Sequence, residues 1–195
     1  MRFPRRSLNS QLSTLNILKE NIVLTGFMGS GKSAVGRRVA GRLRFQFVDT
    51  DQFIVARAGM PISVLFARHG EEYFRDLETK ALESLGAQRR CVIATGGGVV
   101  VKERNRALLK ALGFVVWLTA SEEVIFSRVS RNDKRPLLQT EDPRRTIREL
   151  LAARGPLYES AAEFTLDTTR FSHDEAADAV VAAARRAFAW DSEAR

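Results

Sequence analysis

The segment GFMGSGKS, from Gly26 to Ser33, matches the phosphate-binding pattern G-x-x-x-x-G-K-[S/T], the P-loop. An apolar, β-branched run at residues 21–25 precedes it and predicts a buried strand, and residues 34–43 follow it with apolar side chains at every fourth position, as on one helix face. In this context the P-loop turns backbone N–H groups toward a ligand at the positively polarised N-terminus of a helix. A chance glycine-rich turn is the alternative, and it explains neither flank. The sequence therefore predicts a nucleoside triphosphate site.

The pattern assigns separate roles to the polar side chains of the loop. Lys32 is expected to reach the β- and γ-phosphates, and the Ser33 hydroxyl is expected to hold Mg²⁺. The residues expected to contact ATP here are Gly29, Ser30, Gly31, Lys32, Ser33 and Ala34.

Length and composition favour one domain with an ordinary core. The chain has 195 residues, of which 45% are hydrophobic, and no apolar run approaches the roughly 20 residues that span a membrane. Cys91 is the only cysteine, so no intrachain disulfide forms, and a buried packing role is expected for it. The net charge of +8 raises the possibility of nucleic-acid binding, but the arginines are scattered and no aromatic RNA-binding motif accompanies them. We expect a cytoplasmic monomer that binds neither nucleic acid nor membrane.

The two ends of the chain differ from its middle. Residues 1–19 are basic and rich in Ser and Asn, with no acidic residue before Glu20. This composition resembles a transit peptide, but a flexible or loosely docked tail is the preferred interpretation. We expect an N-terminal tail at 1–20, a single domain at 21–190 and a C-terminal tail at 191–195.

Within the domain, apolar strand-like runs alternate with helical periodicity. Strands are predicted at 45–48, 91–95, 114–118 and 164–167, in addition to the one before the P-loop, with helices between them. This alternation predicts a three-layer α/β/α fold with a five-stranded parallel sheet. Two local breaks are expected, at Gly70 between two helices and at Gly155-Pro156, where a turn would end a helix at 146–153. The polar segment 130–142 has no apolar period and is predicted to be a mobile lid.

Two carboxylates follow the second predicted strand. Asp49 and Asp51 would lie at the carboxyl edge of the sheet, where ligands of open α/β sheets bind. Phosphoryl transfer requires a metal, positioning and charge neutralisation, so one carboxylate can serve the metal shell and the other can hold or deprotonate the acceptor hydroxyl. An ordinary Asx turn is the structural alternative.

A helical pair and a glycine run suggest a second binding surface. Arg75 and Glu78 are three residues apart, so Glu78 can orient Arg75 to clamp an anionic substrate, although a weak surface ion pair would look the same in sequence. The run of Gly96, Gly97 and Gly98 after a strand favours close approach of a ligand or of backbone, and a plain loop is the alternative.

Three arginines flank the predicted lid. Arg135 lies in it, before Pro136, where closure would bring its guanidinium to the transferring phosphoryl group. Arg128 precedes the lid, and Arg154 follows it, next to the predicted turn that would aim it at the site.

Taken together, these segments resemble the shikimate kinase family, in the nucleoside-monophosphate-kinase-like branch of P-loop proteins. The resemblance rests on an ordered set of motifs between about residues 21 and 188, which is more specific than the P-loop alone. The motifs are GFMGSGKS, DTD (49–51), FRDLE (74–78), GGG (96–98), RPLL (135–138) and RGPLY (154–158).

The resemblance implies a P-loop kinase fold with a lid, and transfer of the ATP γ-phosphate to the 3-hydroxyl of shikimate, with Mg²⁺. It implies that Asp51 contacts the accepting hydroxyl and that Lys32 and Arg135 stabilise the moving phosphoryl group. It also implies that Arg75 and Arg154 bind the shikimate carboxylate and that Gly96, Gly97 and Gly98 line the substrate pocket. Ser33 would bind Mg²⁺ directly, Asp49 would bind it through water, and Arg128 and Arg135 would contact ATP.

Two positions depart from the family pattern, and two other functions stay open. Ala34 stands where the family often has Thr, and Arg170 and Phe171 leave the register of a basic nucleotide contact uncertain. A kinase of another polyol acid, such as gluconate, is the nearest rival. A silent nucleotide-binding regulator would be expected to have lost Lys32, Asp51 or Arg135, and all three are present.

Overall fold

The structure, a computed structural model, describes residues 20–130 and 140–190. The predicted tails, apart from Glu20, and most of the predicted lid, with Arg135, lie outside the described residues.

The described residues contain one five-stranded parallel sheet in the order β2-β3-β1-β4-β5. All residues of β1 and β3 are buried, because helices cover both faces of the sheet at its centre. This confirms the predicted sheet and its five strands. The strands are β1 (Ile22–Thr25), β2 (Gln46–Asp49), β3 (Cys91–Ala94), β4 (Phe114–Thr119) and β5 (Phe164–Asp167).

Alternation of side chains along β1 divides the core between the two faces. Ile22 and Leu24 pack against Val39 on one face, whereas Val23 points to the other and packs with a second set that includes Leu109. The outer layers are the helices α1 (Lys32–Leu43), α2 (Thr50–Ala58), α3 (Ile62–Ser84), α4 (Glu103–Leu112), α5 (Glu122–Val129), α6 (Pro143–Ala161) and α7 (His173–Ala187). Cys91 is buried, as expected for a packing role.

Helices α2 and α3 pack on each other around an apolar cluster of their own. Ile54, Leu65, Phe74 and Ala81 are buried in this cluster, which is distinct from the two clusters on the sheet. Gly70 has φ 80° and ψ 174°, so α3 is two helical segments with a break at the predicted position. In the described residues no helix is both long and apolar enough to cross a bilayer.

The predicted turn at Gly155-Pro156 is wrong. Helix α6 runs from Pro143 to Ala161 and carries Pro156 in its interior, rather than ending at residue 153. Tyr158 and Ala161 are buried in the core cluster on this face of the sheet, so tertiary packing of the last turns outweighs the local cost of the proline. Arg154 therefore reaches the site from a helix and not from a turn.

Because the strands are parallel, the loops that follow β1, β2 and β3 all emerge at one edge of the sheet. These loops are the P-loop, the Asp49–Asp51 segment and the glycine run, and their meeting defines the candidate site.

Candidate active site

The P-loop forms a cradle closed by its own lysine. The Lys32 side chain is 8% exposed, and its Nζ donates hydrogen bonds of 2.8 Å to the carbonyl oxygens of Gly26 and Phe27. Gly29 and Gly31 take positive φ values of 80° and 95°, which only glycine adopts at low cost. Gly31 is also the N-cap of α1 and provides no side-chain cap, so no side chain of the cap residue stands between the N-terminus of α1 and an anionic ligand.

Asp49 uses its two carboxylate oxygens for different purposes. Oδ2 accepts a 2.7 Å hydrogen bond from the Ser33 hydroxyl, and Oδ1 accepts from the backbone N–H groups of Asp51 and Gln52 at the start of α2. Asp49 therefore forms the Asx-type cap and also lies where a carboxylate of the proposed metal shell would be, so the two interpretations of this residue are compatible. The cap fixes Asp51 in the first turn of α2, next to the run Gly96 to Gly98, which we call the glycine loop.

Each glycine of the run at 96–98 is approached by a different part of the site. A Cβ on Gly96 would lie 2.5 Å from Glu78 Oε1 and 2.7 Å from Asp51 Oδ1. A Cβ on Gly97 would lie 3.1 Å from the P-loop nitrogen of Met28, and one on Gly98 would lie 2.2 Å from the Arg75 guanidinium carbon. A Cβ at Gly96 or Gly98 would displace a charged side chain of the site, and one at Gly97 would crowd the P-loop backbone, so the run is a point of close approach rather than a plain loop.

Arg75 is held by carboxylates on its own helix. Its Nη1 donates a 2.6 Å bond to Glu78, and Nε and Nη2 donate to Glu71. The Arg75 and Glu78 side chains are only 4% and 1% exposed, so the alternative of a surface ion pair is wrong. Burial raises the pKa of Glu78 to about 7, against the opposing effect of the Arg75 charge. Oε1 of Glu78 accepts no hydrogen bond from the described residues.

The Gly97 carbonyl joins the glycine loop to helix α6. It accepts hydrogen bonds from Arg154 Nη1, at 3.3 Å, and from the Tyr158 hydroxyl. Tyr158 is buried and stacks on Trp117, and burial raises the pKa of its phenol, which keeps the hydroxyl a donor. Tyr158 was not among the predicted site residues, although it lies one helical turn after Arg154.

The outer side of the P-loop is flanked by groups from three elements. Arg128 donates a 3.1 Å hydrogen bond to the Gly29 carbonyl, so its side chain lies beside the P-loop. The His173 ring at the start of α7 would lie 3.7 Å from a Cβ on Gly31, and the buried Thr168 hydroxyl donates to the Ser30 carbonyl. Neither His173 nor Thr168 was predicted. Thr168 directly follows β5, so the rule of strand carboxyl ends could have indicated it.

The predicted residues in the described part of the chain converge on one edge of the sheet. A cleft of about 220 Å³ is lined by Lys32, Ser33, Ala34, Asp49 and Asp51, with the glycine loop on its far side. Residues 20–130 and 140–190 contain no group of three or more His, Cys, Asp or Glu side chains able to hold a metal ion. The site therefore combines a phosphate cradle, a hydroxyl–carboxylate pair and two guanidinium groups, a set suited to phosphoryl transfer onto a carboxylate-bearing acceptor.

Known proteins share this arrangement of elements. A family model described as shikimate kinase matches residues 28–185. The shikimate kinase of Thermodesulfovibrio yellowstonii is 47% identical over 162 residues, which are 83% of this chain and 93% of that protein. The shikimate kinase of Caldanaerobacter subterraneus subsp. tengcongensis is 46% identical over 164 residues, or 84% and 95% of the two chains. The solved structure of shikimate kinase from Acinetobacter baumannii in complex with shikimate is 38% identical with a TM-score of 0.82, and the match covers 87% of this chain and 94% of that one. The chain therefore belongs to the shikimate kinase family.

Proposed function

We propose that this chain transfers the γ-phosphate of ATP to the 3-hydroxyl of shikimate, giving shikimate 3-phosphate and ADP. One observation carries the proposal: the glycine loop is in contact with all three parts that the reaction needs. Gly96 meets Asp51, Gly97 meets the P-loop, and Gly98 meets Arg75. An acceptor seated on this loop would have its hydroxyl near Asp51 and its carboxylate near Arg75.

On the nucleotide side, the cradle and Lys32 would neutralise the phosphates. When ATP is bound, the Lys32 ammonium exchanges the carbonyls of Gly26 and Phe27 for phosphate oxygens, where negative charge develops during transfer. Arg128 and His173 flank the loop on its outer side, and we assign them to the nucleotide. Arg135 stays a prediction from the sequence.

Ser33 and Asp49 are suited to hold Mg²⁺ when the nucleotide is bound. A hydroxyl and a carboxylate oxygen 2.7 Å apart are hard oxygen donors, of the kind that Mg²⁺ takes together with water and phosphate. Bound there, the ion would offset the charge of the β- and γ-phosphates. Ser33 would be a direct ligand, and Asp49 would hold a metal-bound water.

On the acceptor side, Arg75 and Arg154 would bind the carboxylate of shikimate. Glu78 holds the Arg75 guanidinium in place, and the Gly97 carbonyl holds that of Arg154, so both are positioned before the substrate arrives. Asp51 would accept a hydrogen bond from the 3-hydroxyl and take its proton as the oxygen attacks the γ-phosphorus.

Lys32→Ala and Arg75→Ala separate the two halves of this proposal. Lys32→Ala is expected to lower kcat by about 10²–10³-fold, as for loss of one donor to a developing charge. Arg75→Ala is expected to weaken the binding of shikimate by roughly 2–5 kcal/mol and to leave the binding of ATP unchanged. The exposed Lys110 and Arg186 offer matched controls, as Lys110→Ala and Arg186→Ala.

A coupled ADP-release assay with shikimate and gluconate tests the acceptor. The guanidinium clamp by itself suits any polyol acid, and it is the relatives that favour shikimate. Turnover with gluconate but not shikimate would refute the proposal, and turnover with neither, in a protein that binds ATP, would favour the silent regulator. We also keep a cytoplasmic monomer as a proposal, for which light scattering tests the oligomeric state.

A further inference from the structure

A second cleft lies between α2 and the part of α3 that follows Gly70. Its volume is about 330 Å³, which is in the range of small-molecule sites. Ile54, only 3% exposed, lies in its apolar lining, Phe53 lines it from α2, and Tyr73 and Leu77 line it from α3. Tyr73 is 42% exposed although its side chain is large and largely apolar, and one side of its ring contacts the His69 ring, with the centroids 4.7 Å apart. The cleft thus presents two aromatic rings and an apolar surface to a ligand.

The polar side chains that line this cleft are hydrogen-bond donors. Arg57 from α2 and Lys80 from α3 contribute one positive charge each, and no Asp or Glu lines the cleft. Neither Arg57 nor Lys80 forms an ion pair with a carboxylate of residues 20–130 or 140–190, and the Arg57 guanidinium lies over the Phe53 ring, 5.4 Å from its centroid. The carboxylate of Asp76 is influenced by Lys80, but its hydrogen bond is with Lys102, at 2.6 Å. Two cations beside an apolar surface leave a position for a single anionic group.

The cleft and the acceptor site are on different faces of the same helix. Tyr73, Leu77 and Lys80 are spaced by four and three residues, which places them on one face of α3. Arg75 and Glu78 are buried on another face, toward the glycine loop. A ligand in the cleft would therefore contact neither Arg75 nor Glu78, and it could bind while shikimate is present.

We propose that the α2–α3 cleft binds a small aromatic carboxylate. Its ring would lie against Phe53 and Tyr73, which favour offset or edge contacts with another ring. Its carboxylate would accept charge-assisted hydrogen bonds from Arg57 and Lys80, one from each helix.

The test is a titration of 4-fluorobenzoate, followed by ¹⁹F NMR, into the full-length protein saturated with shikimate and ADP. Both substrate sites are then filled, so a saturable change in the fluorine signal reports on another site. Arg57→Gln combined with Lys80→Gln is expected to weaken binding by about tenfold or more, as for loss of hydrogen bonds to charged groups. Lys110→Gln combined with Arg186→Gln removes the same charge from exposed positions outside the cleft and is expected to leave binding unchanged.

Three results would overturn the proposal. They are the absence of saturable binding in the presence of shikimate and ADP, equal binding to the Arg57→Gln/Lys80→Gln protein, and equal binding of the uncharged 4-fluorobenzyl alcohol. If the double variant does not fold, Tyr73→Ala tests the same cleft through an exposed side chain and is expected to reduce binding. Undiminished binding to Tyr73→Ala would also count against the cleft.

Discussion

Replacement of Gly98 by alanine tests how strictly the glycine loop positions the Arg75 guanidinium. Gly98 has φ −105° and ψ −1°, a conformation open to alanine, so the effect of the new methyl group is steric. The methyl carbon would lie 2.2 Å from the Arg75 Cζ, whereas ordinary contacts begin at 3.4 Å, so the guanidinium must move by about 1.2 Å. A misplacement of roughly 1 Å costs on the order of 10²-fold in rate. We expect kcat/KM for shikimate to fall by about 100-fold, or about 2.7 kcal/mol, with KM for ATP unchanged.

Initial rates of ADP release, measured against shikimate at saturating ATP and then the reverse, give both constants. Gly155→Ala is the matched control, because Gly155 lies inside α6 beside Arg154 and a Cβ there meets nothing within 4 Å. That change is expected to leave the kinetics unaltered and to raise stability by about 0.5–1 kcal/mol, from helix propensity. Unchanged kinetics in Gly98→Ala would refute the steric argument, as would an equal loss in Gly155→Ala.

Three further predictions follow from single contacts of the site. Glu78→Gln should change the pH dependence of stability. Because the pKa of Glu78 is raised to about 7, the folded protein keeps a proton that the unfolded chain loses at lower pH. The unfolding free energy of the wild type minus that of the variant should therefore fall by about 1–3 kcal/mol from pH 5 to pH 8. Urea titrations at each pH measure this, and a constant difference would contradict it. In Asp49→Asn, the amide oxygen can still cap α2, so stability should hold within about 0.5 kcal/mol while half-saturation by Mg²⁺ rises about tenfold or more. A rise no larger than that of a surface Asp178→Asn control would exclude Asp49 from the metal site. In Tyr158→Phe, the Gly97 carbonyl loses one hydrogen-bond donor and keeps Arg154, so KM for shikimate should rise about threefold to tenfold. The fluorescence of Trp117, on which the ring stacks, should be unchanged. An altered kcat with constant KM would argue against the contact.

The parts of this fold that depend on local pattern could be predicted from the sequence. The apolar run of β1, the glycine spacing of the P-loop and the break at Gly70 each follow from the chemistry of a few adjacent residues. The position of Asp49 beside the P-loop is also predictable, because parallel strands end at one edge of a sheet, and Asp49 accepts a hydrogen bond from Ser33 there.

Contacts that depend on packing between distant elements could not be predicted in this way. Pro156 indicates a helix end by local rules, yet α6 continues because Tyr158 and Ala161 fill the core beneath the sheet. The same packing brings the Tyr158 hydroxyl to Gly97, 61 positions away in sequence. The approach of His173 to Gly31 likewise depends on how α7 packs on α1, which no local pattern encodes.

The separate apolar cluster of α2 and α3 has a consequence for local unfolding. Ile54, Leu65, Phe74 and Ala81 are buried with one another rather than in the two clusters on the sheet, whereas Leu82 anchors the last turn of α3 in the cluster that includes Val23. The pair of helices can therefore open locally as far as this anchor while β1 and β3 stay covered. Asp51 and Arg75 are both on the pair, whereas Arg154 is on α6. A carboxylate held between Arg75 and Arg154 would link the pair to the rest of the protein, so bound acceptor should slow amide exchange in α2 and α3 far more than in β1 or β3.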